Sequence, residues 1–172
     1  TRGTDDIIFV TAKGLALRYP ESQMRPMGRA AGGVTGIRLR PGDQVAGMEV
    51  VEKDADLLVV TEGGFGKRTP LAEYSPKRRA SQGMATINQK SLPEIGQIAA
   101  ARVVKDSDDL TLISSNGVIL RLKVNKLSRS GRATRGSHIM KLEKGDHVAS
   151  LARIPAVVGE NGINEENEKP IE

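Results

Sequence analysis

The stretch TEGGFGKRTPLAEYSPKRRASQG, Thr61 to Gly83, holds a Gly66-Lys67 pair and five basic residues. Glycines beside a Gly-Lys pair suggest a loop whose backbone N–H groups wrap a nucleotide's phosphates. The register argues against it. Thr61 stands where such a loop needs its first Gly, and Arg68 stands where a hydroxyl must reach magnesium. Other chemically capable side chains are scattered. There is no cysteine, which excludes disulfides, zinc-finger sites and thiol chemistry. His138 and His147 stand apart, without metal-ligand company. Tyr19 and Tyr74 fall at the ends of apolar segments and read as packing or rim residues. Asp6, Asp56 and Asp109 each precede an apolar run and read as turn formers. No catalytic residue or bound metal is expected, so the basic residues call for a phosphate of another kind.

Charge and aromatic content say which kind. The 172-residue chain carries a formal net charge of +5. Residues 1–154 hold 25 Lys/Arg against 16 Asp/Glu, whereas residues 155–172 hold Lys169 against five glutamates. A basic body suits a polyanion. Proteins that grip single strands or RNA loops stack bases on aromatic rings. Two Phe, two Tyr and no Trp leave few rings to spare. Duplex DNA, held by its phosphates, is the better match. The tail lacks an apolar pattern and is expected to be disordered. No apolar run is long enough for a membrane helix or signal peptide. The start, TRGTDDIIFV, enters an apolar run at once and reads as a cut from a longer chain.

The elements that must position these charges recur three times. DIIFVTAKGLALR from Asp6, DLLVVTEGGFGKR from Asp56 and DLTLISSNGVILR from Asp109 align at offsets of 50 and 53 residues. Gly14, Gly64 and Gly117 each lie 19 residues before Gly33, Gly83 and Gly136, and 15 residues before Arg29, Arg79 and Arg132. The units close on GDQVAGMEVV, GQIAAARVV and GDHVASLARI, the second after a short insertion around SLPE. Such periods indicate stacked or radial repeats.

Each unit reads as four short strands. The first, such as Leu57–Thr61, is aliphatic throughout and is expected to be buried on both faces. A KG, GG or NG turn leads to the second: Leu15–Arg18, Phe65–Arg68 or Val118–Arg121. The third surrounds Ile37, Ile87 or Met140, and the fourth is Val45–Val51, Ile98–Val104 or Val148–Ile154. The fold class is all-β, propeller-like, with blades at about 5–53, 54–106 and 107–154 and a tail over 155–172. Alternation along the second strand puts Arg18, Arg68 and Arg121 opposite the apolar face, as exposed strand ends. A second row is Arg29, Arg79 and Arg132, with Arg25, Lys77, Arg78, Arg129 and Arg135 nearby. Two such rows form a track for phosphates.

MGRAAGGVTGIRLRPGDQVAGMEVV, GGFGKRTPLAEYSPKRRASQG and NGVILRLKVNKLSRSGRATRGSHIMKL resemble the C-terminal domain of the DNA gyrase A subunit, which is part of a bacterial type IIA topoisomerase. The resemblance covers about residues 5–154. It implies a β-pinwheel, a disc whose blades exchange strands, and identifies the units with the last three of six blades. It also implies that rim cations bend and wrap duplex DNA so that the holoenzyme introduces negative supercoils. Matching rim positions are Arg18, Arg29, Lys67, Arg68, Arg78, Arg79, Arg121, Arg132 and Arg135. The partners implied are duplex DNA, the gyrase A catalytic core and the gyrase B subunit, in the cytoplasm and away from membranes. ATP and magnesium would be used elsewhere in the holoenzyme, and the cleaving Tyr belongs to the preceding core domain. The gyrase-defining box similar to Q-R-R-G-G-K-G is absent, so the related topoisomerase IV protein stays open, as does a propeller-like protein scaffold that does not bind DNA.

Overall fold

The structure is a computed structural model and describes residues 1–156. The rest of the expected acidic tail, residues 157–172, lies outside the described residues. Eleven strands form along the described chain. The first unit supplies β1 (Asp6–Thr11), β2 (Leu15–Pro20) and β3 (Val45–Val50). The second supplies β4 (Asp56–Thr61), β5 (Phe65–Pro70), β6 (Met84–Ala85) and β7 (Ile98–Val104). The third supplies β8 (Asp109–Ser114), β9 (Ile119–Lys123), β10 (Ser137–His138) and β11 (Val148–Ile154). All pairings between these strands are antiparallel.

The sheets do not coincide with the units. Their orders are β3-β1-β2-β6, β10-β5-β4-β7 and β11-β8-β9. Each of the first two blades therefore borrows its outer strand from the following unit, as a pinwheel does. The third sheet has three strands, not the four expected of every blade, because β9 receives no strand. No strand forms around Ile37, contrary to expectation, and the other two third strands are shorter than expected, with Ile87 and Met140 just beyond them as buried plugs.

The repeated turn explains why the exchange works. Gly64 has φ +78°, and a Cβ there would stand 2.2 Å from the Met140 carbonyl oxygen. Only glycine combines that conformation with so close an approach. Ile139 and Met140 N–H donate to the Gly64 carbonyl at 2.9 and 3.1 Å, which locks the incoming segment onto the hairpin.

Two hydrophobic clusters fill the spaces between blades. Along β4, Leu57 and Val59 face the cluster shared with Ile8, Val10 and Ile87, while Leu58 and Val60 face the cluster shared with Leu110, Leu112 and Met140. All six residues of β4 are buried, as its unbroken apolar run predicts. Each such aliphatic side chain contributes about 1.5–3 kcal/mol by leaving water. The strand β8 instead alternates, because one of its faces has no further blade. The SLPE insertion forms the single helical turn α1 (Leu92–Ile95) and sinks Ile95 into the first cluster. No described helix is long and apolar enough to cross a membrane.

Candidate nucleic-acid interface

The first arginine row does not point outward as expected. Arg18 sits at the end of β2, where its guanidinium meets the Asp6 carboxylate at 2.8 Å and donates to the Leu71 and Tyr74 carbonyls of the next unit. Arg68, at the same place on β5, is buried. It pairs with Asp56 and Asp106 and donates to the Leu127 carbonyl at 3.1 Å. Asp56 also takes the Arg129 guanidinium on both its oxygens. Asp6 and Asp56 are thus not turn formers but counter-ions, set one antiparallel strand away from their arginines. Arg18 and Arg68 tie each blade to its successor, and the expectation of exposed strand ends fails for Arg68. Of this row, Arg121 is exposed.

Lys67 is a second correction. Its residue exposure is 0%. The ammonium donates to the Gly131 carbonyl at 2.6 Å, the Arg132 carbonyl at 2.8 Å and the Thr134 hydroxyl at 3.1 Å. Three donors meet three acceptors, which satisfies a buried ammonium. Desolvation pushes its pKa down to about 8, with Glu73 raising it and Arg132 lowering it by lesser amounts. It is therefore charged at neutral pH, and its role is to clasp the 131–134 loop to β5.

The second row is divided. Arg29 and Arg78 are exposed. Arg79 is half-buried and donates to the Gln23 and Thr35 carbonyls. Arg132 is half-buried, donates to the Ala85 carbonyl and lies 3.9 Å from Glu73. Arg135 is exposed, pairs with Glu94 at 2.9 Å and lies over the Phe65 ring at 5.4 Å. Tyr19 and Tyr74 are core residues rather than rim residues: Tyr19 stacks on Phe9, and the Tyr74 hydroxyl meets that of Thr86 at 2.5 Å.

At the junction of the first two blades, Arg38, Arg78, Arg79, Ala80, Ser81 and Gln82 line one open cleft. The walls are tied by hydrogen bonds from Arg38 N–H to the Ser81 carbonyl and from Ala80 N–H to the Gly36 carbonyl, both 2.9 Å. Three arginines line it with no carboxylate among the lining residues, and the Arg79 guanidinium is held by the Gln23 and Thr35 carbonyls. Arg25, Arg29 and Lys77 add exposed positive charge on the neighbouring segments. Arg38 was not foreseen, because the repeat puts Asn88 and Lys141 at its place. No cluster of metal-ligating side chains occurs among the described residues.

A radial stack of antiparallel blades, locked by exchanged strands and bearing an open cationic cleft at a blade junction, defines a β-pinwheel of the propeller class. The chain belongs to the DNA gyrase C-terminal domain, beta-propeller family, whose model matches residues 5–52, 55–105 and 108–155. The gyrase A protein of Staphylococcus epidermidis is 42% identical over 158 residues, which is 90% of this chain and 17% of that protein. The gyrase A protein of Staphylococcus aureus (strain MRSA252) is 37% identical over 171 residues, 97% of this chain and 19% of the relative. The chain thus spans about a fifth or less of the curated relatives it matches. A solved DNA gyrase A C-terminal domain superimposes with a TM-score of 0.82 at 27% identity, covering 88% of this chain and 51% of that one. A solved C-terminal domain of DNA topoisomerase IV gives 0.84 at 29% identity, covering 91% and 48%.

Proposed function

We propose that this chain binds duplex DNA through its phosphates, without sequence preference, and bends it across the blade rim. In that reading it is the wrapping domain of a cytoplasmic gyrase A protein. It presents a crossing segment to a catalytic core that, with gyrase B, spends ATP to introduce negative supercoils. The observation that carries the proposal is the cleft of Arg38, Arg78 and Arg79 on a fold of the gyrase C-terminal family. Guanidinium groups suit phosphate oxygens, and neither Phe nor Tyr is exposed to stack bases. Arg29, Lys77 and Arg135 are exposed, and in this reading they extend the path.

The test is binding of random-sequence duplexes across a salt series. Each phosphate neutralised should steepen the fall of log K against log[salt] by about 0.9. A flat salt dependence, or no duplex binding at all, refutes it. Topoisomerase IV is the second reading, favoured by the equally good superposition on its domain. The two separate on whether closed circular DNA, relaxed in the presence of this chain joined to a catalytic core, keeps a change in linking number. Gyrase-type wrapping leaves one, and weaker binding does not.

A further inference from the structure

The chain builds two blade junctions from equivalent parts. Lys77, Arg78, Arg79 and Ser81 close on the first blade as Ser130, Gly131, Arg132 and Thr134 close on the second. The backbone contacts match. Lys77 N–H donates to the Arg18 carbonyl at 2.8 Å, and Ser130 N–H to that of Arg68 at 2.9 Å. Arg38 N–H reaches the Ser81 carbonyl at 2.9 Å, and Asn88 N–H that of Thr134 at 3.0 Å.

The side chains do not match. At the second junction the Arg132 N–H donates to a Glu73 oxygen at 3.3 Å, and Arg132 Nε lies 3.9 Å from the same oxygen. Arg129 meets Asp56 at 3.0 Å, and the Lys67 ammonium is enclosed by oxygens of Gly131, Arg132 and Thr134. At the first junction each of these has a neutral counterpart: Gln23 stands for Glu73, Pro76 for Arg129 and Leu17 for Lys67. The Arg79 N–H donates to Gln23 Oε1 at 2.7 Å, the contact that Arg132 makes to a carboxylate. The Gln23 side-chain amide donates to the Lys77 carbonyl at 3.1 Å, so this uncharged side chain spans the Lys77–Arg79 segment. None of Arg38, Lys77, Arg78 and Arg79 forms an ion pair among the described residues. A carboxylate beside a guanidinium competes with an incoming phosphate for the same donors and cancels part of the attraction. The first junction has cations without that competitor, and the second has the competitor built in.

We propose that Gln23 and its counterpart Glu73 decide which junction holds the duplex. Neutral Gln23 leaves Arg38 and Arg78 to a backbone phosphate, whereas Glu73 engages Arg132 and closes the second junction. This deepens the reading of the chain as a duplex-binding domain and rests on it. The grip is uneven: the duplex is held where the first blade meets the second, and it passes the 131–134 loop without a directed contact.

Anisotropy titrations of a random-sequence duplex with the 172-residue chain, repeated across a salt series, compare wild type with Gln23→Glu and Glu73→Gln, both at exposed positions. Gln23→Glu should weaken binding about tenfold at low salt and lower the salt slope by about 0.9, the loss of one phosphate contact. Glu73→Gln should tighten binding and raise the slope by about as much, which damage to the fold would not do. Asn116→Asp makes the same change of charge on the third unit's exposed hairpin turn and should leave the slope as it is. In spectra of the arginine Nε–H groups, Arg38 and Arg78 should respond to duplex in the wild type, and Arg132 only in Glu73→Gln. Equal effects of Gln23→Glu and Asn116→Asp would reduce the matter to net charge and overturn the proposal. So would a Glu73→Gln chain that binds no more tightly, or an Arg132 that responds in the wild type as Arg38 does. A wild type that binds no duplex at all overturns the DNA-binding reading along with it. If Gln23→Glu loses its β-sheet spectrum, Glu73→Gln and the wild-type arginine signals decide.

Discussion

Replacing Lys67 by Met tests the clasp between β5 and the 131–134 loop. Met keeps the apolar stem and removes the ammonium. Three hydrogen bonds disappear, but their acceptors are not equally harmed. The Gly131 carbonyl keeps the Thr134 hydroxyl at 2.9 Å, and that hydroxyl keeps its contact with Ser130 at 2.8 Å. The Arg132 carbonyl loses the ammonium at 2.8 Å, and an acceptor left unpaired in a buried place costs about 1–3 kcal/mol. Against this, the variant no longer has to desolvate a cation, and the equivalent positions in the other units are Leu17 and Leu120. The net loss should be about 1–2 kcal/mol, which for a chain of this size lowers Tm by about 2–8 °C. Thermal melts followed by circular dichroism give the answer. An unchanged or raised Tm would show that burial of the charge outweighs the clasp.

The pH dependence has a definite sign. Lys67 is lowered from its ordinary 10.5 to about 8 in the folded chain, mainly by desolvation. Between those values the unfolded chain holds more protons at this site than the folded one, so stability rises with pH there. The advantage of wild type over Lys67→Met should be flat below pH 8 and grow between pH 8 and 10.5. An advantage that shrinks across that window contradicts the burial on which the assignment rests.

Arg38→Ala and Arg78→Ala should each weaken duplex binding for all sequences alike and lower the salt slope by about 0.9, with Tm unchanged; melts and anisotropy titrations check both. Arg68→Ala should act on the fold instead, because Asp56 loses a buried partner and the Leu127 carbonyl loses its guanidinium donor. Arg129 still holds Asp56, so the loss is mainly that of the Leu127 carbonyl's donor, about 1–3 kcal/mol, to be read from denaturant unfolding. Gly64→Ala should prevent the second blade from receiving β10, since its Cβ would lie 2.2 Å from the Met140 carbonyl oxygen. Gly117→Ala meets no neighbour and should cost only the left-handed backbone penalty, about 1–2 kcal/mol, so equal losses at the two glycines would refute the open edge.

How far the sequence could be read depended on whether a feature is local. The hairpins were legible because the apolar run, the turn glycine and the second strand lie within thirteen residues of one another, three times over. The exchanged strands were legible only through the family resemblance, because two residues such as Met84–Ala85 are too short to alternate, and nothing local says which sheet they join. The first arginine row misled for a related reason. Alternation gives the face on which Arg68 lies but not that Leu127 of the following unit covers that face.

Two signals in the repeat carried the correct reading. An Asp precedes each of Arg18, Arg68 and Arg121 by twelve residues, the spacing that makes diagonal neighbours across a hairpin of this length. In the first two units the Asp is the arginine's counter-ion, and an arginine so paired is poorly suited to a phosphate. Lys67 occupies the place of Leu17 and Leu120, and a lysine among leucines in a repeat is a core position that has acquired a charge. Two exposed arginines of the cleft obey the opposite rule. Arg38 is replaced by Asn88 and Lys141, and Arg78 by Gly28 and Gly131. For Arg18 and Arg68, strict periodicity marks what each blade needs in order to dock on the next. In the proposed reading the phosphate-facing surface can vary from blade to blade, because a flexible duplex needs enough positive charge along its path but no particular cation at each step.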